Sequence, residues 1–125
     1  MSKIVVITGA SSGIGFQLSK TLLLSESNIL VIAIGRRGNM LSKLQALFPK
    51  KVLTIEADIA SPDGRKDVVS ALSQYSKIDC LVHSAATVHP LNSIKKLKLD
   101  DWRKSQQTNV EAPLFLTQLL INKFN

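Results

Sequence analysis

The stretch VVITGASSGIG, residues 5–15, decides the fold of this chain. An apolar, β-branched run passes directly into glycine, serine and alanine, which predicts a buried strand, a tight turn and then a helix. Each glycine has a mechanical reason at this spacing: Gly9 permits the turn, Gly13 lets the main chain approach a pyrophosphate, and Gly15 lets the helix pack closely on the strand. An ordinary serine/glycine turn is the alternative interpretation.

A helix that begins at this turn presents free backbone N–H groups to an anion, because the positive end of the helix dipole lies at its N-terminus. Phosphates would therefore lie over the start of the helix, where Ile14 is its first residue. Ser11 and Ser12 offer hydroxyl groups to a ribose or a phosphate. We count all three as candidate cofactor-binding residues.

The rest of the sequence alternates short β-branched runs with longer stretches of helical period. This alternation is typical of an α/β protein with a doubly wound parallel sheet. We expect strands over residues 4–8, 29–34, 52–56 and 78–83. We expect four helices. The first covers residues 14–24, with Ile14, Leu18 and Leu22 on one face, and the second covers residues 40–48, before Pro49. The third covers residues 61–75, with Ser61 as N-cap, Pro62 at the first helical position and Tyr75 facing the core, and the fourth runs from about residue 100 to the end.

Composition limits the classes of protein to which this chain can belong. At 125 residues with 45% hydrophobic content, the chain is one domain with enough apolar residues for a core. A net charge of +7 favours anionic partners, but the basic residues are scattered and the aromatic content is 5%, so we expect no nucleic-acid binding. The single cysteine, Cys80, forms no disulfide framework or zinc-type ligand pair, so we expect no metal. Without a membrane-length apolar run or a signal-peptide pattern, we expect a cytoplasmic protein that does not bind membranes.

Four segments, TGASSGIG, ADIAS, LVHSAA and TNVEAP, occur in this order along the chain. Together they resemble the short-chain dehydrogenase/reductase family, whose cofactor motif is Thr-Gly-x-x-x-Gly-x-Gly. The resemblance implies a Rossmann-type fold and places Asp58 and Ile59 at the adenine. It places Ser84, Ala85 and Ala86 after the fourth strand, beside the nicotinamide ribose, where the family has Asn-Asn-Ala-Gly.

The end of the second strand indicates which dinucleotide is bound. An NAD enzyme offers a carboxylate there to the ribose 2′-hydroxyl, and this carboxylate would repel a 2′-phosphate. Here the sequence is IGRR: Gly35 leaves room in the acid's place, and Arg36 and Arg37 can donate charge-assisted hydrogen bonds to a phosphate. We therefore predict NADP, with NAD as the less favoured cofactor. The alternative for either arginine is a solvated surface side chain.

The resemblance also defines what this sequence lacks. Family members transfer a hydride between the nicotinamide and a carbonyl or alcohol carbon of a small molecule, with the help of a serine and a Tyr-x-x-x-Lys pair. The only tyrosine, Tyr75, is followed four residues later by Asp79 and not by lysine. Asn109, at the family's helix asparagine, is the one member of the catalytic set that remains. We expect His83 to end a buried strand and to bond a neighbouring loop.

We interpret residues 1–125 as a C-terminally truncated NAD(P)-binding domain, βαβαβαβα with strand order 3-2-1-4. Its fourth strand would be an exposed apolar edge and its last helix would lack a partner, so we expect self-association through both. Three functions stay open. The chain is the cofactor-binding portion of an NADP-dependent carbonyl reductase, inactive by itself; or an NADP sensor without catalysis; or a scaffold or remnant that binds nothing.

Overall fold

The computed structural model describes residues 2–89 and 91–124. Four parallel strands form one sheet: β1 (Lys3–Ile7), β2 (Ile29–Gly35), β3 (Val52–Glu56) and β4 (Cys80–Val82). Their order is β3-β2-β1-β4, so β1 and β2 lie in the centre and the other two strands form the edges. The doubly wound, Rossmann-type α/β fold and its strand order are thus confirmed.

Helices connect the strands and cover both faces of the sheet. They are α1 (Gly13–Ser25), α2 (Gly38–Leu47), α3 (Pro62–Ala71), α4 (Leu99–Gln106) and α5 (Ala112–Leu120). A π-helical turn (Gln107–Glu111) joins α4 to α5, and a 3₁₀ turn (Ile121–Lys123) follows α5. Within the described residues, no helix combines the length and the apolar character that a membrane crossing requires.

Alternation along the central strands divides the core in two, because successive side chains of a strand point to opposite faces of the sheet. Val5 of β1 belongs to the cluster that contains Leu23 of α1 and Leu44 of α2. Its neighbour Val6 belongs to the cluster formed with α3 and with Leu116 of α5. Since helices cover both faces, the central strands are continuous apolar runs.

The first helix turns only part of the predicted face toward the core. Leu18 and Leu22 are partly buried and pack against the core, but the fully buried residues of α1 are Gly15, Ser19 and Leu23. Ile14 is 82% exposed. The reason is that the start of α1 lies on the preceding turn, where a Cβ on Gly15 would come within 2.3 Å of the Gly9 carbonyl oxygen.

Two further elements are shorter than predicted. α3 ends before Tyr75, which lies in the following turn and packs, partly buried, against the core. β4 is shorter than the predicted 78–83, because the Ile78 N–H donates to the Lys123 carbonyl oxygen at 2.8 Å and not to the sheet. His83 lies just beyond the end of β4, with its ring partly buried.

A lysine holds the C-terminus of α1. The Lys51 ammonium donates to the carbonyl oxygens of Leu23 and Glu26, each at 2.8 Å. The last carbonyls of a helix have no partner within it, and a cation near them also interacts favourably with the helix dipole. Lys51 therefore fixes the end of α1 to the connection that leads into β3.

Candidate functional site

The carboxyl ends of the strands open into a cavity of about 760 Å³. In open parallel sheets this is the edge at which ligands bind. The predicted cofactor-binding residues that line the cavity are Gly9, Ser11, Ser12, Gly13, Ile14, Arg36, Arg37, Asp58, Ile59, Ser84, Ala85 and Ala86. Of the predicted site residues, Gly15 and Asn109 are not in its lining.

The glycine turn has two positions in the left-handed region of backbone conformation, Gly9 with φ +64° and Gly13 with φ +55°. A Cβ on Gly9 would lie 2.7 Å from the backbone of Ala85, so this glycine lets the turn touch the segment after β4. A Cβ on Gly13 would meet nothing within 4 Å. The main chain at Gly13 therefore borders open space that a ligand can enter.

Thr8, which precedes the turn, joins it to the segment after β4. Its buried hydroxyl oxygen accepts the backbone N–H groups of Ser84 at 3.1 Å and Ala85 at 3.2 Å, and the hydroxyl donates to the Val82 carbonyl oxygen at 3.4 Å. The sequence had indicated Thr8 only as part of a motif. Its contacts show that it fixes two walls of the cavity to each other.

The start of α1 suits an anion. Its N-cap, Ser12, has extended backbone and makes no side-chain hydrogen bond to the helix, and the first turn carries no acidic residue. The first N–H groups of a helix need acceptors from outside it. An anionic group in the cavity beside Gly13 would supply these acceptors.

The end of β2 brings basic side chains to the cavity. Arg36 and Arg37 are exposed, and neither takes part in the ion pairs found among residues 2–89 and 91–124. Gly35 is needed for a reason that the sequence did not indicate: a Cβ there would lie 2.6 Å from the Ser11 hydroxyl oxygen. Any side chain at this position, a carboxylate included, would displace the glycine turn.

The end of β3 forms a third wall. One Asp58 carboxylate oxygen accepts the Ala60 N–H at 3.0 Å, which holds the acid in the turn before α3. Ser61 caps α3 as predicted, since its hydroxyl accepts the Gly64 N–H at 3.0 Å and Pro62 is the first helical residue. Ile59 is buried at the cavity wall.

Asn109 lies in the π-helical turn and contacts the backbone of Thr87. Its Oδ1 accepts the Thr87 N–H and its Nδ2 donates to the Thr87 carbonyl, both at 2.8 Å. Thr87 lines the cavity, so Asn109 acts on the cavity through this residue. Its assignment to a catalytic set stays a prediction.

His83 bonds a helix and not the loop that was expected. Its Nε2 lies 2.8 Å from the hydroxyl oxygen of Thr117 in α5. Partial burial of the ring lowers the pKa of His83 below 6.5, since burial disfavours the charged form. The residue is absent from the cavity lining, in agreement with a structural contact.

The lining residues of α4 and of the turn after it were not predicted from the sequence. Lys104 and Thr108 reach the cavity from successive helical turns, and further lining residues are Ile34, Gly35, Ala57, Ala60, Thr87, His89, Leu91 and Asp101. Helical spacing places Lys104 and Thr108 on one face, but nothing in the sequence tells which face that is. No group of three His, Cys, Asp or Glu side chains suited to a metal ion occurs among the described residues.

Comparison with known proteins identifies the family. The model of the short chain dehydrogenase family matches residues 3–125. The chain belongs to this family. It is 32% identical over 115 residues to an uncharacterized oxidoreductase of Staphylococcus saprophyticus, covering 90% of this chain and 46% of that protein.

Other relatives differ in cofactor. An NADP-dependent 3-hydroxy acid dehydrogenase of Salmonella typhi is 29% identical over 119 residues (94% of this chain, 47% of the relative). An NAD-dependent glycerol dehydrogenase of Listeria innocua is 28% identical over 119 residues (94% and 46%). The crystal structure of L-sorbose reductase from Gluconobacter frateurii, complexed with NADPH and L-sorbose, superposes with a TM-score of 0.82 at 28% identity, covering 96% of this chain and 46% of that one. This chain thus spans about half the length of the relatives it matches.

Proposed function

We propose that this chain is the NADP(H)-binding portion of a short-chain dehydrogenase/reductase. The observation that carries the proposal is the convergence of three features in one cavity: open space at Gly13, an uncapped helix start, and the arginines Arg36 and Arg37. A dinucleotide with a 2′-phosphate is an extended molecule with two separate anionic groups, the pyrophosphate and the 2′-phosphate. The cavity offers positive potential at two matching places, the start of α1 and the end of β2.

Different residues would bind different parts of the dinucleotide. The backbone N–H groups at the start of α1 would hold the pyrophosphate beside Gly13. Arg36 and Arg37 would donate hydrogen bonds to the 2′-phosphate. Ile59 would lie against the adenine, and the segment that contains Ala85 would border the nicotinamide ribose. Gly35 carries no carboxylate that would repel the 2′-phosphate.

The chemistry of the proposed parent protein is hydride transfer to a carbonyl carbon or from an alcohol carbon of a small molecule, and NADPH supplies the hydride when bound. The 125 residues hold no Tyr-x-x-x-Lys pair, and Tyr75 packs against the core and is not part of the cavity lining. We therefore propose that this chain binds the dinucleotide but holds no side chain that moves the proton of the substrate oxygen. Cys80 is a free, exposed thiol, which suits the reducing cytoplasm that we propose as its location.

Titration with NADPH and with NADH tests the proposal. Trp102 lies next to Asp101, which lines the cavity, so its fluorescence can report binding alongside the heat measured by calorimetry. We expect tighter binding of NADPH, and Arg36→Ala should weaken it about tenfold or more while leaving NADH unchanged, because a hydrogen bond between charged groups contributes about 1.5–3 kcal/mol.

Lys43→Ala is the matched control. This side chain lies on the exposed side of α2 and is not part of the cavity lining, so the variant loses the same charge without losing a predicted phosphate contact. Equal affinity for the two dinucleotides, or equal losses in the two variants, would contradict NADP selectivity. Binding of neither dinucleotide would refute the proposal.

A further inference from the structure

Arg65 of α3 is a charged side chain inside the protein. The residue is 6% exposed, although it lies in the polar stretch PDGRKD. A buried charge is costly unless polar partners surround it. Its partners are the carbonyl oxygen of Ile59, which accepts from Nη1 at 2.9 Å, the carboxylate of Glu111 at 3.6 Å, and the ring of Phe115, whose centroid lies 5.9 Å from the guanidinium.

Two of these partners, Ile59 and Glu111, connect Arg65 to different walls of the cavity. Ile59 lies in the wall that follows β3. Glu111 is the last residue of the π-helical turn that contains Asn109, and Asn109 holds the backbone of Thr87 in the wall that follows β4. The contacts of Arg65 and those of Asn109, joined by the backbone of the π-helical turn, therefore connect one wall to the other.

We propose that Arg65 is a positioning residue that fixes the separation of these two walls and thereby raises the affinity for NADPH without touching it. The inference rests on the proposed function, because it concerns the same cavity. The guanidinium suits this role, since its rigid fork donates in two directions at once, whereas the single ammonium of a lysine is a compact point charge.

The ion pair with Glu111 does not by itself account for this arrangement. The Glu111 side chain is 40% exposed, so water reaches its carboxylate when Arg65 is absent. Replacement of a buried ion pair by apolar side chains is often neutral or stabilising. What an apolar replacement cannot do is hold the Ile59 carbonyl and the Glu111 carboxylate at a fixed distance from each other.

The test compares Arg65→Met, Glu111→Gln and the double variant, each measured for NADPH affinity and for stability in urea. We expect about tenfold weaker binding for Arg65→Met and a smaller loss for Glu111→Gln, within the range typical of coupling between sites. The double variant should bind like Arg65→Met, because both changes break one chain of contacts. Arg65→Lys should recover part of the affinity.

Lys123→Met is the matched control. The Lys123 ammonium donates to the Tyr75 carbonyl, so it also joins the turn after the last helix to the turn after α3, but neither residue lines the cavity. This variant should lose stability and keep its affinity for NADPH. Additive losses in the double variant, or an equal loss of affinity in the control, would overturn the inference.

A second measurement separates this inference from the proposed function. Amide hydrogen exchange at Thr87 reports the far wall without any dinucleotide, since its N–H is bonded to Asn109. We expect faster exchange at Thr87 in Arg65→Met and in Glu111→Gln, and unchanged exchange overturns the inference even where NADPH binds. If the unsubstituted chain binds no dinucleotide, the proposed function fails, and the exchange result alone decides whether Arg65 fixes the two walls. If Arg65→Met does not fold, Arg65→Lys and Glu111→Gln are judged by the same criteria.

Discussion

Replacement of Thr8 by valine tests how the cavity is held together. The valine has nearly the shape of threonine, but it removes the oxygen that accepts two backbone N–H groups, at 3.1 and 3.2 Å, after β4. Each donor left without a partner costs about 1–3 kcal/mol. Ser84 and Ala85 are partly exposed, so water compensates in part, and we expect the free energy of unfolding to fall by about 2–4 kcal/mol. Urea unfolding followed by circular dichroism measures this loss.

Thr8→Ser is the matched control, because it keeps the hydroxyl and removes one buried methyl group, at a cost of about 1 kcal/mol. The difference between the two variants therefore isolates the hydrogen bonds. The slope of the unfolding free energy against urea should stay the same in both, since neither changes the surface exposed on unfolding. A valine variant no less stable than the serine variant would refute the reasoning.

Three further predictions concern other parts of the chain. Lys51→Met should lower the free energy of unfolding by about 1–3 kcal/mol, because two carbonyl oxygens at the end of α1 lose their donor; a change below the error of urea unfolding would contradict this. The hydrogen bond from the Ile4 N–H, more than any other cause, lowers the pKa of Asp79 below 3.8, so its stabilising contribution is present above pH 3.8 and is lost as pH falls through the lowered pKa. The stability difference between the parent chain and Asp79→Asn should therefore shrink in acid, and a constant difference would argue against it. We propose self-association through the edge of β4 and the exposed side of α5, where Leu114 is 59% and Leu119 is 47% exposed; size-exclusion chromatography should show an assembly that Leu119→Lys reduces to a monomer, and a monomeric parent chain would contradict this.

The sequence predicted the fold where local pattern and tertiary packing agree. β3 has the predicted bounds, β2 extends one residue beyond its predicted end, and β1 begins and ends one residue earlier than predicted. The first helix shows why agreement fails elsewhere. Periodicity grouped Ile14 with Leu18 and Leu22, but close contact between Gly15 and the Gly9 carbonyl buries Gly15 and leaves Ile14 exposed. Such a contact between backbones leaves no trace in hydrophobic pattern.

The candidate site was predicted best where a motif lies in one loop. Gly9 and Gly13 lie in one loop, Arg36 and Arg37 lie together in another, and all four line the cavity. Contacts over long sequence distances were missed: Thr8 reaches across to Ala85, and Asn109 to Thr87, each across many intervening residues. Nothing in the sequence predicts the burial of Arg65, because its polar neighbours predict a solvated helix face.

The π-helical turn sets the rotational phase of everything that follows it. Such a turn bonds i to i+5 and so holds one residue more than an α-helical turn. Deletion of one residue from Gln107–Glu111 would restore a regular helix and rotate α5 by about 100° relative to α4. Leu116 and Leu120 would then leave the core if Asn109 kept its contact, or Asn109 would leave Thr87 if the leucines stayed. A related sequence that lacks one residue at this point is therefore expected to lack either the leucine packing of α5 or the contact of the asparagine with the segment after β4.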